Sequence, residues 1–155
     1  MDGLTGKPDW HDALAAQCKA KPADLQALAD ACEAMPRQGQ HEGMARGLSL
    51  LIDGTAISGP KPETWHVESL HVRLLADAGA YESAVLGLFP HDATFTGGRM
   101  ADGSYTAQVI LPSQAGAHSR NAKSLAMAWL AALLRAVARE MVEQRAVYGG
   151  RDKEG

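Results

Sequence analysis

Six histidines and a few short polar clusters are the places where this chain could do chemistry. His66, Glu68 and His71 lie close together, and two imidazoles beside a glutamate suggest a hydrolytic metal site. Such a site needs histidines four apart on a helix, so that both rings reach one ion. Here they are five apart, about 140° around the helix, and they face different ways. Zinc needs three or four converging ligands, so neither this trio nor His41-Glu42 predicts a metal centre, and no cofactor is expected. The stretch Ser113 to Asn121 offers more. It carries His118, Ser119, Arg120 and Asn121 ahead of an Ala/Leu-rich segment, with Lys123 just beyond. If that segment is a helix, its first N–H groups and its positive dipole end lie beside these side chains. His118, Ser119, Arg120, Asn121 and Lys123 are therefore the candidate ligand-binding residues, for a phosphate, a nucleotide or another anion. The alternative is a solvated capping loop, because any helix start offers the same amides. Ser119 beside His118 lacks the Gly-x-Ser-x-Gly setting of a nucleophile elbow. Gly97-Gly98 belongs to no phosphate-binding P-loop and reads as a hairpin turn. No catalytic residue is assigned.

These residues must be positioned by a mostly helical framework. Asp9 caps a first helix from Trp10 to about Lys19. Lys21-Pro22 breaks it, and Pro22 opens a second helix to Met35, with Leu25, Leu28, Ala29 and Cys32 on its buried face. A third helix, His41 to Ile52, carries Gly43 and Gly47, whose spacing permits close helix packing at some cost in propensity. Thr55 to Lys61 reads as a linker. A fourth helix, Thr64 to Ala78, has Trp65, Leu70, Leu74 and Leu75 as core. A fifth runs from Tyr81 to Leu88 and stops at Pro90.

The apolar period then changes from 3.6 to 2. Ala93 to Thr96 is a short strand and Tyr105 to Leu111 a longer one. Tyr105, Ala107, Val109 and Leu111 take one face, and Thr106, Gln108 and Ile110 the other. Gly97-Gly98 and Asp102-Gly103 supply the turn. After a loop from Ser113 to Arg120, Asn121 caps the final helix, Ala122 to about Gln144, and a charged tail follows from Gly149. Leu125, Trp129, Leu133 and Val137 lie on its apolar half, with Arg135 and Arg139 among alanines on the other. The sum is a single α+β domain over 1–155: a helical N-terminal part (1–60), an α-β-β-α part (61–148) and a flexible tail (149–155). The hairpin edges and the alanine side of the last helix are left to be covered either by a second copy, giving a homodimer, or by the N-terminal helices.

Composition narrows the function classes. At 155 residues the chain can bury a sizeable core. A net charge of −3 argues against a protein that holds nucleic acid mainly by neutralising phosphates. Cys18 and Cys32 fall at apolar helical positions and read as buried thiols in a reducing compartment. No signal-peptide pattern is seen, and the longest apolar run, Leu125 to Val137, is too short to cross a bilayer. A cytoplasmic protein without membrane contact is expected.

The series Tyr81-Glu-Ser-Ala-Val-Leu-Gly-Leu-Phe-Pro90, the glycine-rich hairpin, Tyr105-Thr-Ala-Gln-Val109, and Gly116-Ala-His-Ser-Arg-Asn-Ala-Lys-Ser-Leu-Ala-Met-Ala-Trp-Leu-Ala-Ala-Leu-Leu-Arg-Ala136 resembles small uncharacterised phage and prophage proteins of the α-β-α sandwich type. In those, a Leu-x-Pro-ending helix precedes a short sheet, and an Ala/Leu helix closes the domain. Ala122 stands where that family often has threonine, and residues 1–60 have no counterpart in it. The resemblance implies a phage or prophage origin and carries over no functional residue. Together these readings favour an accessory protein that binds a host protein or complex, for example to block a defence system. A nucleotide-binding or sequestering protein using His118 to Lys123 is the alternative. An enzyme with a site gathered from scattered His and Glu residues is the third.

Overall fold

The computed structural model describes residues 14–53 and 63–154. The helices are α1 (Leu14–Gln17), α2 (Pro22–Ala34), α3 (Gln40–Leu48), α4 (Glu63–Asp77), α5 (Tyr81–Leu86) and α6 (Leu125–Glu154). The strands are β1 (Thr94–Arg99), β2 (Tyr105–Ile110) and β3 (Gly116–Ala122), forming one antiparallel sheet in the order β1-β2-β3. The α+β class is as the sequence reads, with a third strand added. Asp9, Trp10 and the Thr55–Lys61 linker lie outside the described residues, as does the side chain of Trp65.

The long helix α6 runs between the sheet on one side and α2 on the other, with α1, α3 and α5 packed around it. Ala126, Met127, Ala128, Leu130, Ala131, Ala132, Leu133, Leu134, Ala136, Val137 and Ala138 are all buried. A helix apolar all round belongs inside a protein. Of the two covers expected for the alanine side, a second copy or the N-terminal helices, the structure shows this chain's own helices. Small side chains allow that approach. A Cβ on Gly43 of α3 would come within 2.6 Å of Met127 Sδ. The helix continues through Gly149-Gly150 to Glu154, where an end near Gln144 and a tail were expected; the Arg, Lys and Glu residues there are good helix formers.

Three other boundaries are corrected. Ser113 to Arg120 is not one loop, because Gly116–Ala122 is a strand paired with β2 through Ala107↔Ser119, Gln108↔His118 and Val109↔Ala117. Gly97-Gly98 lie inside β1 rather than in the turn, paired with Ala107 and Thr106. The turn is Ala101-Asp102-Gly103, where Gly103 has φ 89° and Asp102 Oδ1 accepts from Ser104 N at 2.9 Å. Gly97 is needed for proximity: a Cβ there would sit 2.6 Å from Trp129 Nε1. Finally, α4 turns Val72 and Ala76 inward and leaves Leu70 and Leu74 more than half exposed, where both were expected in the core. Its apolar residues lie on more than one face, and the face packed toward α5 is the one carrying Val72.

Candidate functional site

Building outward from α2, Asp30 and Glu33 occupy one face of the helix and reach toward α6 and β3. Arg135, the cation in the most apolar part of α6, meets them. Its Nη1 and Nη2 donate to the two Glu33 carboxylate oxygens at 2.6 and 2.7 Å, and Nη2 also reaches Asp30 Oδ1 at 2.7 Å. Such a forked pair is among the stronger charge-assisted arrangements. Glu33 Oε2 accepts two further bonds, from Ser119 Oγ at 2.7 Å and from the backbone N–H of Arg120 at 3.0 Å. These contacts, led by the Arg135 hydrogen bonds, hold the Glu33 carboxyl down at about 2, against the opposing pull of burial. Arg135 is shifted up in turn, chiefly by Glu33. A carboxylate held this low stays ionised near neutrality, and its bonds to Arg135, Ser119 and the Arg120 N–H make Glu33 a buttress for β3.

The same cluster organises the outer edge of β3. Arg135 Nη1 donates to the carbonyl of His118 at 3.1 Å, and Arg139 Nη1, one turn along α6, to that of Gly116 at 3.0 Å. Arg139 Nε also pairs with Glu143 at 2.9 Å. Above this framework lies an open groove of about 660 Å³ whose lining includes Gln26, Glu33, His118, Arg120, Asn121 and Arg139. A second, of about 440 Å³, lies over the solvent face of the sheet beside Thr96, Thr106 and Gln108. His118 and Arg120 line both and form the ridge between them. Among the described residues, no carboxylate pairs with the Arg120 guanidinium.

The five sequence-derived candidates therefore separate. His118, Arg120 and Asn121 come together on the first groove. Ser119 points the opposite way, because neighbouring strand residues alternate faces, and it is buried against Glu33. Lys123 is exposed beyond the strand and lines neither groove. The expected anion site at a helix start is not built as expected. The helix begins at Leu125, Ser124 Oγ accepts from Met127 N at 3.3 Å as its cap, and Ser124, Ala126 and Met127 are buried. Asn121 is no cap. It has φ 62° and sits in a bulge, where Arg120 and Asn121 together face Thr106, a left-handed position asparagine tolerates.

Glu33, Arg135 and Arg139 are the site residues that sequence reading left unassigned. Their signal was two arginines four apart on an otherwise apolar helix, with two acids three apart on α2. His66 and His71 are exposed, and among the described residues no group of three or more His, Cys, Asp or Glu gathers to hold a metal. Cys18 and Cys32 are free buried thiols, and burial pushes the Cys32 thiol up to about 12. Among the described residues no helix is long and apolar enough to cross a membrane. No family model, curated protein or solved structure matches this chain.

Proposed function

We propose that this chain is an accessory protein of phage type that acts by binding a host macromolecule, and that the ridge of His118 and Arg120 meets an acidic group on that partner. One observation carries the reading. Arg135 is neutralised by Glu33 and Asp30 and Arg139 is tied to Glu143, while among the described residues no carboxylate pairs with the Arg120 guanidinium, which lines two open concavities. Small-molecule sites enclose most of their ligand's surface; an open polar groove on each side of one cation suits a protein surface better. A component of a host defence system is one class of target.

The test is capture from bacterial lysate on immobilised wild-type chain and on Arg120→Glu, at low and high salt. A partner held by the wild type, lost with the variant and weakened by salt supports the reading. Equal capture by both chains removes the site from it. A second reading, binding of a small anion, is favoured by the convergence of Arg120, His118 and Asn121 on the first groove. Phosphate and nucleotides at millimolar concentration would then raise the melting temperature of the wild type and not of the variant, since ligand binding stabilises the folded state.

A further inference from the structure

We infer that the free edge of β1 is a self-docking surface, on which a second copy of this chain adds its own β1 antiparallel across a two-fold axis, joining two three-stranded sheets into one of six. The hydrogen-bond phase identifies the groups involved. Met100 N bonds Ser104 O at 2.8 Å beside the turn, and the β1–β2 register pairs Thr94, Thr96 and Gly98 with Ile110, Gln108 and Thr106. In an antiparallel ladder bonded and non-bonded pairs alternate. Thr94, Thr96 and Gly98 therefore bond to β2, and the N–H and C=O groups of Phe95, Gly97 and Arg99 point outward. None of these has a backbone partner beyond the sheet among the described residues. The other edge, by contrast, has the outward carbonyls of Gly116 and His118 and the outward N–H of Arg120 taken by Arg139, Arg135 and Glu33.

Three features select a second copy as the occupant. Phe95, at the outer side of an aromatic cluster with Phe89 and Trp129, is 41% exposed. Centring the two-fold on Thr96 places each Phe95 ring opposite the other copy's Gly97, beside the Trp129 indole that packs over that glycine. That centring also pairs the outward groups of residues 93 to 99. Charge agrees as well: Asp92 precedes the strand and Arg99 ends it, so antiparallel copies bring Arg99 of each beside the start of the other, where Asp92 lies. Nothing on the edge repels its own image.

The measurement is the solution mass of the full chain at about 100 µM, by light scattering, for the wild type and for Arg99→Glu; Arg99 is exposed and its loss is compatible with folding. Wild type at twice the 16.4 kDa chain mass, with the variant shifted to monomer at the same concentration, is expected. A parallel assay places Thr96→Cys under mild oxidation, where facing non-bonded residues approach to about 4.5 Å between Cα atoms. A covalent dimer is expected, and because Cys18 and Cys32 are buried the new thiol is the one available. A monomeric wild type overturns the inference. So does a dimer that is indifferent to Arg99→Glu and fails to cross-link through position 96.

Discussion

Along β3, the outward carbonyls of Gly116 and His118 and the outward N–H of Arg120 each end on a charged side chain, whereas along β1 the outward groups of Phe95, Gly97 and Arg99 meet none among the described residues. Unpaired edges template further pairing, and proteins commonly blunt them with charge. Here the blunting is done from behind, by arginines that sit on the core helix and pass between β3 and α2. The device is expensive in desolvation, since Arg135 and Glu33 are 18% and 22% exposed. It returns a fixed β3 with His118 and Arg120 aimed outward. The β1 edge is held instead by rings: Trp129 Nε1 donates to Thr96 O at 3.3 Å, and Phe89, Phe95 and Trp129 stack edge to face. One edge is locked by charge and closed, and the other is packed by aromatics and left open.

The sharpest way to break that contrast is Arg135→Met. Removing one partner of a largely buried pair strands the other charge, and Glu33 would be left with Ser119 and one backbone amide. A loss of about 3 kcal/mol is expected, which in a chain this size is a fall of roughly 6–12 °C in melting temperature. The double variant with Glu33→Met should recover most of it, because exchanging both members of a buried pair for apolar groups is nearly neutral. A double variant as unstable as the single would show that the pair's partners, and not the pair, hold β3.

A somewhat smaller effect is expected from pH. Glu33 is held at about 2 against an ordinary 4.5. Its contribution is therefore fully present above the unfolded value and is lost as pH falls from about 4.5 toward 2. At 1.36 kcal/mol per unit the loss is roughly 2–3 kcal/mol. Urea unfolding between pH 5 and pH 2 checks it, and Glu33→Gln should flatten the slope over that window. An unchanged slope would mean that other carboxylates dominate the acid limb.

How much of this was legible follows the same division. Where local chemistry decides, the elements came through: Pro22 opens α2, Pro90 follows α5, and the alternation from Tyr105 marks β2. β3 was not legible. Gly116-Ala-His-Ser-Arg-Asn-Ala122 contains no β-branched residue and no Phe, Tyr or Trp, and its mostly small or polar side chains read as loop. It is a strand because Arg135, Arg139 and Glu33 complete its outer edge, and contacts from residues 17 to 87 positions away leave no trace in a window of seven. The candidate site was half visible for that reason. His118, Arg120 and Asn121 were found through their nearness to a helix start, although strand pairing is what sets them on the groove, and the same pairing turns Ser119 inward. The Gly97-Gly98 pair was misread because two adjacent glycines signal a turn unless a bulky ring elsewhere needs the space.

That last pair supplies the finest test of the contrast. Gly97 and Gly98 are neighbours on one strand, neither has a positive φ, and alanine at either position gains the same entropy by restricting the unfolded chain. They differ in what a methyl group would meet. At Gly98 there is nothing within 4 Å, whereas at Gly97 Trp129 Nε1 lies at 2.6 Å and Leu125 Cδ1 at 3.0 Å. Gly98→Ala should therefore be neutral or slightly stabilising, within about 0.5 kcal/mol. Gly97→Ala must push the indole off Thr96 O and disturb the ring cluster, at about 1–2 kcal/mol. Trp129 fluorescence should move with the second substitution and not with the first. If both variants unfold at the same denaturant concentration with the same emission, the indole does not anchor β1, and the proposed division between a charge-locked edge and a ring-packed one fails at its weaker side.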